Sequence, residues 1–148
     1  MTSPEIPARG DRWLRAIGYG LLAEIATIIT IIFVVMLYKY VLARGLPENA
    51  YTLFGERAGA LIGILGGTLY TFSFARLLMR RISSNFIAHG IVVAFAAIAL
   101  SVAGSIAGHQ SVPASYIWAS ILKIIAGALA GFIYQRYMAA TPAGNTQR

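Results

Sequence analysis

Cysteine is absent from this 148-residue chain, which excludes disulfides, thiolate nucleophiles and cysteine-based metal sites. Charge is also scarce. Asp, Glu, Lys and Arg make up 11% of the residues, where a soluble domain carries about a quarter. Acidic side chains are the scarcer kind, 5 against 12 Lys and Arg, which leaves a net charge of +7. Histidine occurs twice, at His89 and His109. These flank one apolar run and stand about 30 Å apart at helical rise, so they cannot share a metal. The chain also lacks a nucleophile–base motif, a phosphate-binding loop and a metal-ligand cluster, so neither enzyme chemistry nor a cofactor is expected.

What the chain does have is apolar sequence, 58% of it, gathered into four long runs. A membrane-crossing helix needs about 20 mainly apolar residues. The runs at 15–41, 58–79, 86–108 and 114–137 meet that length, and without water to satisfy the backbone they must be helical. The expected fold is therefore an all-α integral membrane protein, a single domain of four transmembrane helices running up-down-up-down, with flexible tails at 1–12 and 139–148. The first run, from Ile17 to Tyr38, is too long for a signal-peptide core and has no convincing small-residue cleavage site after it. It is expected to be a retained helix.

Orientation follows from the basic residues. Arg9, Arg12 and Arg15 precede the first run, Arg76, Arg80 and Arg81 border the second connector, and Arg136 and Arg148 lie at the C-terminal end. The opposite side has Lys39, Arg44 and Arg57, offset by Glu48 and Glu56. The positive-inside rule then puts both termini in the cytoplasm, in a multi-pass protein of the cell's inner membrane. Arg76, Arg80 and Arg81 form a cytoplasmic basic cluster facing anionic headgroups. The lipid bilayer, not nucleic acid, is the expected partner of the positive charge. The longest connector, 42–57, holds Gly45 and Pro47. Residues 47–57 fit a short interfacial helix, an extension of the second span, or a solvated loop.

Small residues recur at helical spacing in three spans. Gly59, Gly63 and Gly67 mark the second. Gly90, Ala94, Ala97, Ser101, Gly104 and Gly108 mark the third, and Gly127 and Gly131 the fourth. Such stripes let helix backbones approach closely in lipid, so Gly59, Gly63, Gly67, Gly90, Gly104, Gly108 and Gly131 are expected to be packing positions. The pattern Gly63-x-x-x-Gly67-x-x-Tyr70 echoes Gly127-x-x-x-Gly131-x-x-Tyr134, as two duplicated hairpins would.

Two ionisable residues lie deep inside apolar runs: Glu24 in the first and Lys123 in the fourth. A charge there is expensive and marks a site or a pair. Glu24 shares its helix face with Gly20 and Thr27, and Lys123 shares its face with Ser120, Gly127 and Tyr134. Together with Tyr70, Ser73 and Ser101 these form a candidate polar and small interior seam. The first and last helices of such a bundle are usually neighbours, so an ion pair between Glu24 and Lys123 is expected. Two roles are open for it. The pair could fix which helices meet and in what register. Alternatively, Glu24 could bind protons or cations in a polar cavity, with Lys123 as its counter-charge.

Two short stretches are similar to known families. Gly20-Leu21-Leu22-Ala23-Glu24-Ile25 resembles the first helix of small multidrug resistance transporters, which implies a membrane glutamate that binds proton and cationic drug in turn. Gly66-Gly67 with Thr71-Phe72-Ser73-Phe74 resembles fluoride channels of the camphor-resistance type. Neither stretch assigns a family. The sequence favours a small, non-enzymatic accessory, assembly or structural membrane subunit. The alternative is a small proton- or cation-coupled transporter or channel using Glu24, as a homodimer because four helices alone enclose little cavity.

Overall fold

The computed structural model describes residues 9–108 and 114–140, and among these it is entirely helical with connecting turns. Helix α1 (Arg9–Leu37) ends in a π-helical turn, Tyr38–Leu42. Helix α2 (Glu48–Leu61) runs through a second π-helical turn, Ile62–Gly66, into α3 (Gly67–Met79). Helices α4 (Phe86–Ala107) and α5 (Ala114–Ala140) follow. Four helical stretches are long and apolar enough to cross a membrane: Arg12–Leu42, Glu48–Met79, Phe86–Ala107 and Tyr116–Ala140.

The boundaries refine the sequence reading. Of the three forms open for 47–57, the observed one is an extension of the second span. Pro47, in an extended conformation, precedes Glu48 at the start of α2. Pro fixes the entry angle, and the acidic first turn suits the helix dipole. Gly45 turns the chain at φ +84°. Tyr51 secures the turn by donating to Ala43 O (2.8 Å) and accepting from Leu46 N (3.0 Å). Of the expected tails at 1–12 and 139–148, residues 9–12 and 139–140 are helical. The rest of both tails, and His109, fall outside the described residues. At the other connector Asn85 takes the left-handed conformation, φ 56°, which Asn tolerates better than most side chains. Its carbonyl accepts from the His89 backbone N–H and lies 2.9 Å from His89 Nδ1.

Helix α1 packs on α3 and α4, and α5 packs on the same two; the backbones of α1 and α5 hardly approach each other. The cross-section is a diamond. Helices α3 and α4 meet across its short diagonal, and α1 and α5 stand at its far corners. The first and last helices are therefore not the neighbours the sequence reading supposed, because each is held by both middle helices.

The interior is small or polar, and the large apolar side chains face outward. Ala16, Ala23, Ala75, Ala94, Ala97 and Ala130 are buried, as are Thr27, Thr71 and Ser105. Leu14, Ile29, Phe33, Leu65, Phe95 and Trp118 are exposed. The tightest packing is at the end bearing Arg12, Arg80 and Arg136. There Leu78, Met79 and Val93 are fully buried, Trp13 stacks on His89 at 4.2 Å, and Arg12 donates to Ser83 Oγ (3.1 Å). At the opposite end Tyr38 stacks on Phe54 at 3.7 Å, and Lys39 pairs with Glu48 at 2.9 Å.

Candidate functional site: a buried ion pair at the foot of a cavity

Glu24 sits on α1 one turn beyond Gly20, and Lys123 sits on α5 one turn before Gly127. Both glycines are contact points. A Cβ on Gly20 would stand 2.7 Å from Ala96 Cβ, and one on Gly127 would stand 2.9 Å from the Gly90 carbonyl carbon. Each ionisable residue is thus anchored by a close helix crossing on its arginine-bearing side. Lys123 Nζ lies 2.5 Å from Glu24 Oε2, with the two residues 3% and 4% exposed. The contact spans the long diagonal of the bundle.

Gly67 makes that reach possible. A Cβ there would lie 2.7 Å from Lys123 Cε and 3.4 Å from its Nζ, so the bare glycine is the groove in which the lysine stem rests. Gly67 follows directly on the π-helical turn Ile62–Gly66. Such turns are rare and concentrate at functional sites. The neighbouring hydroxyls bond back to their own helices: Thr27 to Ala23 O at 2.9 Å, Thr71 to Gly67 O at 2.7 Å and Thr68 to Ile64 O at 2.5 Å. They satisfy themselves and leave the pair to itself. Among the described residues Glu24 Oε1 has no hydrogen-bond partner, and the Lys123 ammonium donates only to Glu24.

A cavity of about 920 Å³ opens beside the pair, lined by Glu24, Thr27, Ser101, Ser105, Ser120 and Lys123. It extends along α2 past Gly63 and Gly59 to Glu56 and Gly55, and along α4 to Gly108. At about 1.5 Å per residue, the lining on this span from Ile64 to Gly55 is roughly 14 Å long. Tyr116 lines it too, its hydroxyl 3.1 Å from Ser105 Oγ. A second depression of about 580 Å³, at the arginine-bearing end beside Ser84, Asn85 and Gln135, has no charged lining.

The expected seam divides. Thr27, Ser101 and Ser120 line the cavity with the pair. Gly20 and Gly127 are packing positions instead. Tyr70 bonds Thr30 Oγ1 at 2.9 Å, Tyr134 packs on Phe86, and half-buried Ser73 is outside the lining. The expected packing glycines divide as well. Gly90 and Gly131 pack directly on backbone. Gly59, Gly63 and Gly104 have nothing within 4 Å of a would-be Cβ, and with Gly108 they line the cavity. The reason is separation: the helices diverge where these glycines sit. The echo between Gly63-Gly67-Tyr70 and Gly127-Gly131-Tyr134 accordingly has no counterpart in packing. Arg76, Arg80 and Arg81 are exposed at the end of α3.

Sequence reasoning passed over Ser105, Tyr116 and Glu56 as cavity-lining residues. The i+4 step from Ser101 to Ser105 was the available signal for the first. His89, at the end of an apolar run, is 3% exposed, and among the described residues its Nε2 has no hydrogen-bond partner. No protein-family model, curated protein or solved structure matches this chain.

Proposed function

We propose that this chain is an integral membrane protein of the transporter type. In this reading it binds a small solute in a vestibule open to the outside, with Glu24 and Lys123 at the vestibule's inner end. The single observation that carries it is the cavity of about 920 Å³ that ends on a buried pair of opposite charges. A pair serving only to register helices needs no polar approach path. Apolar packing of similar volume would be as stable or more so.

Membrane insertion is supported by the outward-facing leucines, isoleucines and phenylalanines around a small, polar interior, the arrangement that lipid favours. The order of contacts supports an up-down-up-down course. Trp13 and His89 meet at one end, Tyr38 and Phe54 at the other, and Gly90 meets Gly127 between α4 and α5. Arg12, Arg15, Arg76, Arg80, Arg81 and Arg136 all border the end away from the cavity mouth. The positive-inside rule makes that end cytoplasmic and the vestibule external. One copy already holds the cavity, so the size argument for a homodimer falls away. Use as an accessory or structural subunit stays as the second reading, favoured by the near-complete burial of both charges.

The absence of cysteine provides a direct test. Ser120→Cys and Gly59→Cys should react with a membrane-impermeant maleimide added outside intact cells, and Thr71→Cys, on a buried site, should not. Labelling from the cytoplasmic side alone overturns the orientation. No labelling from either side overturns the vestibule and leaves the structural-subunit reading.

A further inference from the structure

We infer that the solute is an α-amino acid with an uncharged side chain, held by its ammonium on Glu24 and its carboxylate on Lys123. This rests on the vestibule reading and deepens it.

The first argument is charge balance. The pair is neutral, and both residues are more than nine-tenths buried. An unpaired ion in such surroundings costs several kcal/mol even after relaxation. A bound cation or anion alone would leave the site with a net charge. A zwitterion would not.

The second argument is the hydrogen-bonding capacity left over. Glu24 Oε1 is without a partner among the described residues, and Lys123 has three donors with one used. One acceptor and spare donors side by side match a ligand that offers an N–H donor and an oxyanion acceptor a few ångströms apart. An α-ammonium carboxylate has that separation built in. Bound there, it closes a ring of four alternating charges.

The third argument concerns the cationic group. Quaternary ammonium ions are recognised by aromatic cages, and among the described residues the cavity lining contains one aromatic ring, Tyr116. A primary ammonium that donates hydrogen bonds fits instead. Ile28, Ile31, Ile64, Ile98 and Leu100 give the cavity an apolar wall, which suits an aliphatic side chain. Glu56, also in the lining, is exposed at the far end, so a charged side chain held beside the pair would undo its neutrality.

The test uses the purified full chain in lipid nanodiscs, read by thermal unfolding and calorimetric titration. L-Leucine is the probe. 3-Methylbutylamine, 4-methylpentanoate and N,N,N-trimethyl-leucine serve as its amine-only, acid-only and quaternary counterparts. Leucine should raise Tm saturably. Each counterpart lacks one charge-assisted contact and should bind about 10- to 100-fold more weakly. Gly63→Leu starts its side chain in open cavity space, where a Cβ meets nothing within 4 Å. It should keep the unliganded Tm and lose the leucine shift, whatever happens to the folding of Glu24→Gln or Lys123→Met. Equal binding of amine or acid alone overturns the inference, as does a flat response to leucine. If leucine is silent while Ser120→Cys still labels from outside, only the amino-acid assignment falls. If labelling also fails, the vestibule falls with it.

Discussion

Gly90 and Gly127 meet backbone to backbone, whereas Gly59 and Gly63, at the same i,i+4 spacing as Gly127 and Gly131, face nothing within 4 Å. The two halves of the bundle use one residue type for opposite ends. On the arginine-bearing side, missing side chains let α4 and α5 approach each other, and α1 approach α4. On the other side, missing side chains leave a cavity roughly 14 Å long. The pair of Glu24 and Lys123 lies at the boundary between them. A small-residue stripe therefore has no fixed meaning. Its role depends on how far apart the helices stand at that level.

The boundary is where the comparison breaks hardest. Glu24→Gln or Lys123→Met leaves one buried charge without its partner, and such a loss costs on the order of 3–5 kcal/mol. The double change removes both charges and should recover much of it, giving a strongly non-additive cycle. Reversible unfolding in detergent–lipid micelles measures all four forms. Additive losses would mean that the two charges do not depend on each other, contrary to the 2.5 Å contact.

The packed half comes next. In Gly90→Ala the new methyl would collide with the Gly127 carbonyl, and in Gly131→Ala it would stand 2.6 Å from Phe86 O and 2.7 Å from Ile87 Cα. Backbone cannot yield as a side chain does, so each should cost about 1–3 kcal/mol or more. The same unfolding assay reads this. Wild-type stability for both would mean that α4 and α5 can separate freely.

Gly67 should fall between the halves. Its added methyl meets the end of the flexible Lys123 stem, 2.7 Å from Cε. The lysine can shift to another torsion at a cost of about 0.5–1.5 kcal/mol. Gly67→Ala should therefore be milder than Gly90→Ala. It should also reduce the coupling between Glu24 and Lys123 in the double-mutant cycle, which ordinary crowding would leave unchanged.

The sequence made some of this legible and hid the rest for physical reasons. Helix number and extent follow from the length of the apolar runs, each about as long as a bilayer-crossing helix needs. The two stray charges stood out because each interrupts such a run. Their meeting, however, was expected from adjacency of the first and last helices, and they meet across a diagonal. The crossing arrangement is set by contacts such as Gly20 on Val93 and Gly90 on Gly127, whose partners no single helix pattern names. The same limit hid the cavity: Gly59, Gly63 and Gly104 have the spacing of packing residues, and only the divergence of the helices makes them lining. Ser105 repeats Ser101 at i+4, but Tyr116, which meets it from the next helix, carries no local signature.

The smallest expected effect is also the most diagnostic. Gly59→Ala and Gly63→Ala put a methyl into open space, so no neighbour has to move. Glycine in a helix interior is less favourable than alanine by about 0.8–1.0 kcal/mol. Gly59, in α2, should realise that gain more fully than Gly63, which lies in the π-helical turn. Both variants should therefore unfold at or slightly above the wild-type midpoint, opposite in sign to Gly90→Ala. The alternative is that the helices of the open half close on each other. In that case Gly59→Ala and Gly63→Ala would destabilise like their counterparts in the packed half, and reactivity of Ser120→Cys would fall with them. A neutral or stabilising result, with Ser120→Cys still reactive, requires that the second span stand away from its neighbours at Gly59 and Gly63. A structural bundle has no use for that separation, whereas a binding vestibule depends on it.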